Sequence, residues 1–141
     1  MHFMLQREVV DRMVAGPSTP AYGRLSVMLQ RRFELERLFV VPPGAFRPQP
    51  AVHSAIVRLL PRKEAIAPDV SDAAFRSVVS AAFSGRRKTL RNALSSLLQG
   101  ADIIAAGIDP GLRPENLGVF EYSELARAFE RNRDRAPIHK E

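Results

Sequence analysis

Glu36-Arg37-Leu38-Phe39-Val40-Val41, then Pro42-Pro43-Gly44-Ala45-Phe46-Arg47-Pro48-Gln49-Pro50, then a second apolar run over residues 52–60, is the stretch whose reading decides the fold. The two apolar runs have strand length and are rich in β-branched and aromatic side chains. Near-continuous apolar character predicts strands covered on both faces by helices, the layering of an α/β domain. Between them stand four prolines in nine residues. Each fixes φ and narrows the freedom of the unfolded loop, so the connection is expected to be stiff.

Upstream, His2-Phe3-Met4-Leu5 reads as a short strand running directly into an amphipathic helix over 6–15, with Val9, Val10, Met13 and Val14 inward. Gly16-Pro17 stops that helix, and a second helical pattern covers 24–32. Downstream, residues 63–70 lapse into charge, proline and small side chains, a linker by composition. From Ser71 the periodicity is helical. One helix carries Phe75, Val78, Val79 and Ala82 inward, and a second, with Ser84 as a candidate cap, carries Leu90, Ala93, Leu94, Leu97 and Leu98. A short helix ends at Gly107, Asp109-Pro110-Gly111 turns the chain, and a last helix over 121–133 precedes a tail expected to be flexible over 134–141. The organisation expected is therefore an α/β part over 1–62, a linker over 63–70 and a small all-α domain over 71–133.

Composition narrows the chemistry. The chain has 141 residues and a net charge of +6, with 18 Arg and only 3 Lys among its cations. Guanidinium groups suit phosphate and stack on bases, so the balance favours a nucleic-acid partner. Without cysteine there are no disulfides, thiolate metal sites or cysteine nucleophile. His2, His53 and His139 lie too far apart for the short ligand spacings of metal sites, so no metal is expected. No apolar run reaches the roughly 20 residues needed to span a bilayer and no leader pattern opens the chain, which predicts a soluble cytoplasmic protein with no membrane partner.

The sharpest local signal is Ser84-Gly85-Arg86-Arg87-Lys88-Thr89-Leu90-Arg91-Asn92, with Arg86, Arg87, Lys88 and Arg91 as candidate RNA contacts. Read as the start of a helix, it sets four cations against the positive end of the macrodipole, and such conflicts gather at functional sites. Arg87 and Arg91, four apart, would share a face. A solvated polar face is the competing reading, and a DNA-reading helix would look similar. Phe46, in the middle of the proline loop, is a candidate stacking platform with Arg47 beside it for a phosphate; a plug over a core is the plainer alternative. Tyr22-Gly23-Arg24 precedes a helix, and backbone N–H groups there can hold anions. There is no glycine-rich phosphate loop and no Ser/His/Asp order.

Five blocks carry a resemblance. Met1-His2-Phe3-Met4-Leu5-Gln6-Arg7-Glu8-Val9-Val10, Ala21-Tyr22-Gly23-Arg24-Leu25-Ser26-Val27, Val41-Pro42-Pro43-Gly44-Ala45-Phe46, Ser54-Ala55-Ile56-Val57-Arg58-Leu59 and residues 83–94 occur in that order. Together they resemble the small-subunit rRNA adenine N6-dimethyltransferases over about residues 1 to 130. The resemblance implies the C-terminal part of a class I (Rossmann-like) methyltransferase sheet followed by a small all-α rRNA-binding domain. It implies S-adenosylmethionine as methyl donor and, as substrate, two adjacent adenosines in the 3′-terminal hairpin of 16S rRNA, dimethylated during small-subunit biogenesis. Phe46 would stack on the target adenine, while Arg86, Arg87, Lys88, Arg91, Arg47, Tyr22 and Arg24 would meet RNA.

The glycine-rich cofactor loop, the acidic ribose ligand and the Asn-Leu-Pro-Tyr motif of that family lie upstream of the segment resembling Met1. This chain contains no cofactor site by that comparison, and is expected to be inactive alone. Pro20 stands where a Lys is common, His53 where Asp is common and Gly118 where Ser is common. A sheet cut in this way would expose an edge and apolar faces, so self-association is expected. Two rival readings are a free-standing RNA-binding or ribosome-assembly module and a helical DNA-binding regulator.

Overall fold

In the computed structural model, residues 1–45, 47–49 and 51–135 are described, and the chain divides into two compact units, Met1–Ala65 and a second starting at Ile66. The first holds β1 (His2–Gln6), α1 (Arg7–Val14), α2 (Arg24–Gln30), β2 (Phe33–Val41) and β3 (Ser54–Pro61). The strands form one sheet in the order β1-β3-β2, with both pairings antiparallel. The last strand in sequence is therefore the central one. Leu38 is the extra residue of an irregularity between Arg37 and Phe39, which bends β2 near its exposed end.

Side chains alternate along β3. Ala55, Val57 and Leu59 are buried and join Val10 and Met13 of α1 in the core, with Leu29, Phe33 and Leu35 packed around them. Burial of Val10, Met13, Val57 and Leu59 contributes roughly 1.5–3 kcal/mol each. The alternate face carries Ile56 and the Arg58–Glu36 ion pair at 2.8 Å, with Met4 and Phe39 paired to Ile56 and both exposed. The expectation of strands covered by helices on both faces is thus corrected. Within this unit α1 and α2 pack on one face, giving the in/out alternation typical of antiparallel sheets.

The second unit comprises α3 (Asp72–Ser84), α4 (Leu90–Ala93), α5 (Gly100–Ala105) and α6 (Val119–Arg135). Ser71 caps α3, its Oγ accepting from the Ala74 amide at 3.1 Å. Phe75, Val78, Val79 and Ala82 face inward against α6, where Tyr122, Leu125 and Ala126 are buried. The Phe83 and Tyr122 rings meet at 5.7 Å, and the Tyr122 hydroxyl donates to the buried Pro114 carbonyl.

Three boundaries differ from expectation. Within 63–70, read as linker, Asp69 and Val70 are tied down: Val70 is buried, and Asp69 accepts both Arg127 Nε and a second guanidinium nitrogen at 3.0 Å. The helix expected across the Leu90–Leu98 stripe is only four residues long. Beyond Ala93 the bonds mix three-residue and four-residue spacings, Ser95 to Asn92, Leu97 to Leu94 and Leu98 to Leu94, where Ser95-Ser96 weakens the helical preference. Leu90, Leu94 and Leu98 are nevertheless all buried. Finally, α6 runs through Asp134 and Arg135, which the sequence pattern places in the tail; residues 136–141 lie outside the described ones.

Candidate nucleic-acid interface

Arg86, Arg87 and Lys88 occupy the turn between α3 and α4, and Arg91 sits in α4; all four are exposed. This corrects the reading of a cationic helix start. Ser84 is the last residue of α3, and its hydroxyl donates back to the Ser80 carbonyl at 2.7 Å instead of capping α4. The three turn cations therefore succeed the negative end of α3, where a positive charge is favoured by about 0.3–1 kcal/mol. The macrodipole conflict is thereby confined to Arg91, in the first turn of the four-residue α4, and Arg87 and Arg91 share no helical face because Arg87 is not in α4.

The turn is braced. The Gly85 amide donates to Ala82 at 3.2 Å and the Lys88 amide to Gly85 at 2.8 Å. A Cβ on Gly85 would meet the Lys88 chain at 3.2 Å and the Ala93 methyl at 3.3 Å, so a larger residue there would fit only with a shift of a few tenths of an ångström. Arg91 reaches over Gly100, where an added Cβ would come within 2.9 Å of its Nε. The first amides of α4 are satisfied by a distant loop: Leu90 donates to the Leu112 carbonyl at 2.7 Å and Arg91 to the Pro110 carbonyl at 3.0 Å. That pairing holds exposed Arg113, the residue after Leu112, next in sequence to the loop that closes the basic segment. Sequence reading missed Arg113. Asp109-Pro110-Gly111 signalled a turn, but nothing local shows that the turn's carbonyls cap α4.

In the first unit Arg24 is exposed at the start of α2 and Arg47 is exposed in the loop after β2. Tyr22 is fully buried, with its amide donating to the Thr19 carbonyl at 3.1 Å. Its expected role as a direct RNA contact is therefore corrected: the ring packs inside the unit and supports the entry to α2. The same entry is fixed by Ser26, whose hydroxyl accepts from the Gly23 amide at 3.1 Å and donates to the Arg12 carbonyl. Phe46, the expected stacking platform, lies outside the described residues.

The described residues do not make a cradle for a nucleotide-like cofactor. Among them the only strand that runs directly into a helix is β1, and its junction at Gln6-Arg7 has no glycine and no loop in which backbone amides could gather around a charged ligand. Among the described residues no group of His, Asp or Glu is placed to hold a metal ion, and no helix is long and apolar enough to cross a membrane.

Comparison with known proteins decides the family. The profile described as "Ribosomal RNA adenine dimethylase" matches residues 1–130. The chain belongs to this family. Curated relatives include "Ribosomal RNA small subunit methyltransferase A" of Thiobacillus denitrificans, 60% identical over 125 residues, covering 89% of this chain and 49% of the relative. The protein of the same description from Nitrosospira multiformis is 55% identical over 133 residues, covering 94% of this chain and 51% of the relative. The chain thus spans about half the length of the curated family members it matches. Among solved structures, a dimethyladenosine transferase from Plasmodium falciparum shares the fold with a TM-score of 0.79 at 21% identity, over 92% of this chain and 56% of that one. The 23S rRNA methyltransferase ErmE gives a TM-score of 0.64 at 25% identity, over 92% of this chain and 54% of that one.

Proposed function

We propose that this chain is the rRNA-docking part of an S-adenosylmethionine-dependent enzyme that dimethylates N6 of two adjacent adenosines in the 3′-terminal hairpin of 16S rRNA during small-subunit biogenesis. Its family supplies the reaction class. The observation that carries the docking role is the braced, exposed turn of Arg86, Arg87 and Lys88 followed by Arg91. The braced backbone holds these side chains together on one turn, and each phosphate they neutralise releases counterions. Arg113, Arg47 and Arg24 extend the set of exposed guanidinium groups in their respective units. Phe46 stacks on the target adenine in this reading, where a base already unpaired in a loop is cheaply splayed onto an aromatic ring.

In this reading residues 1–62 supply the end of the methyltransferase sheet, 63–70 the connection and the helices from Asp72 to Arg135 the RNA-binding part. S-adenosylmethionine is held by polypeptide this chain does not contain, so the chain alone has no activity. The protein works on the precursor of the small subunit in the cytoplasm.

The test is titration of a labelled RNA hairpin with two adjacent loop adenosines, against duplex DNA, at several salt concentrations. The hairpin is expected to bind more tightly. Arg87→Ala combined with Arg91→Ala should lower the log–log salt slope by about 2. An unchanged slope removes both residues from the interface, and a preference for duplex DNA favours a DNA-binding regulator instead.

A further inference from the structure

Phe120, in the first turn of α6, is 70% exposed, and Ile104, in the last turn of α5, is 60% exposed. Single exposed apolar residues are common; Phe120, unlike Ile104, also lines a cleft of about 230 Å³ together with Ala106, Gly107, Ile108, Glu121 and Glu124. The cleft is built on fixed backbone. Gly107 takes φ +85, its amide donates to the Ile104 carbonyl at 2.9 Å, and the Ile108 amide donates to the Ile103 carbonyl at 3.2 Å, which together close the end of α5.

Its electrostatics run opposite to the rest of this basic chain. Glu121 is held at the rim because Oε1 accepts the Gly118 amide at 2.9 Å. Glu124 shares Arg127 with Asp69, so that trio carries a net negative charge. The carbonyl end of α5 adds partial negative charge and the first turn of α6 partial positive charge, which Glu121 offsets there; among the described residues no cation lines the cleft. Two carboxylates beside Phe120 repel a phosphate backbone, which argues against the ring as a platform for RNA bases.

We infer that this cleft docks a short basic segment of a partner protein, which lays an apolar side chain against Phe120 and Ile108 and sets its Lys or Arg neighbours beside Glu121 and Glu124. The inference does not depend on the RNA-docking proposal, since it uses none of the same residues.

The probe is a fluorescein-labelled peptide alternating Leu and Arg, with a Leu–Glu peptide as its charge-reversed control, followed by anisotropy. The Leu–Arg peptide should bind and the control should not. Phe120→Ser should weaken binding at least about tenfold, as for an aromatic anchor, whereas Phe120→Tyr should retain it. Glu121→Gln with Glu124→Gln should weaken it and flatten its salt dependence, while Arg87→Ala with Arg91→Ala should leave it intact. The inference is overturned by absence of binding to wild type, by equal affinity for both peptides, by indifference to Phe120→Ser, or by Phe120→Ser reducing hairpin RNA binding instead. If Phe120→Ser shifts the thermal melt, the Glu121/Glu124 pair and Phe120→Tyr decide.

Discussion

Arg91 and Gly100 show how one side chain is aimed by another residue's lack of one. A Cβ on Gly100 would come within 2.9 Å of the guanidinium Nε, so Gly100→Ala should push it aside. It should leave α5 about as stable, since Gly100 is its first residue and the interior preference for Ala of about 1 kcal/mol is felt only in part there. We expect hairpin affinity to fall a few-fold with an unchanged or raised melting temperature; equal loss of both would mean a folding defect. Tyr122→Phe is the complementary case. It removes one of two donors to the buried Pro114 carbonyl, leaving the Leu117 amide at 3.4 Å, and should cost about 1 kcal/mol in chemical denaturation. The cationic cluster was visible in the sequence, yet the reason it is tolerated was not. Ser84 reads equally well as a cap or as a final helical residue, and only its bond back to Ser80 distinguishes the two.

At the scale of elements, the segment before α3 is held by α6 from two points. Arg127 grips Asp69 with two nitrogens while also pairing with Glu124, and Glu130 accepts the Ser71 amide at 3.1 Å. Hydrogen bonds that Arg127 donates to Asp69 and Glu124 raise its pKa above its already high ordinary value. The charged form is therefore favoured in the fold, and its contribution is present below the unfolded pKa, throughout the range in which the protein is handled. Arg127→Lys keeps the charge but loses the fork, and should cost no more than about 1 kcal/mol because the pair is partly exposed. Ser71→Ala should cost about 1 kcal/mol through loss of the α3 cap, seen as a lower melting temperature. Composition hid this clamp, since charge, proline and small residues describe a tied segment and a loose one alike. The helices of the second unit were legible from their apolar spacing; the break after Ala93 was not, because the leucine stripe continues through a turn that is no longer α-helical.

For the whole molecule, the mixed α/β class with helices following was legible because apolar runs of strand length and helical periodicity occupy different parts of the sequence. Strand order was not, since non-local pairing leaves no local mark. β1 bonds β3 through Met1, Phe3 and Leu5, as the reciprocal Met1–Leu59 bonds at 3.2 and 2.9 Å show. The backbone groups of His2, Met4 and Gln6 therefore face away from the sheet. With Phe3, Met4 and Leu5 exposed and no proline or charge within the strand, this edge lacks the usual guards against pairing. Light scattering should show the isolated chain self-associating and Met4→Lys reducing it; a compact wild-type monomer contradicts this. The central claim is that the chain grips ribosomal RNA but does not hold the methyl donor. Parallel calorimetric titrations of one sample with the hairpin RNA and with S-adenosylmethionine test it most directly. Saturable, salt-sensitive binding of the RNA with no binding of the cofactor is the predicted result, and saturable cofactor binding or indifference to the hairpin contradicts it.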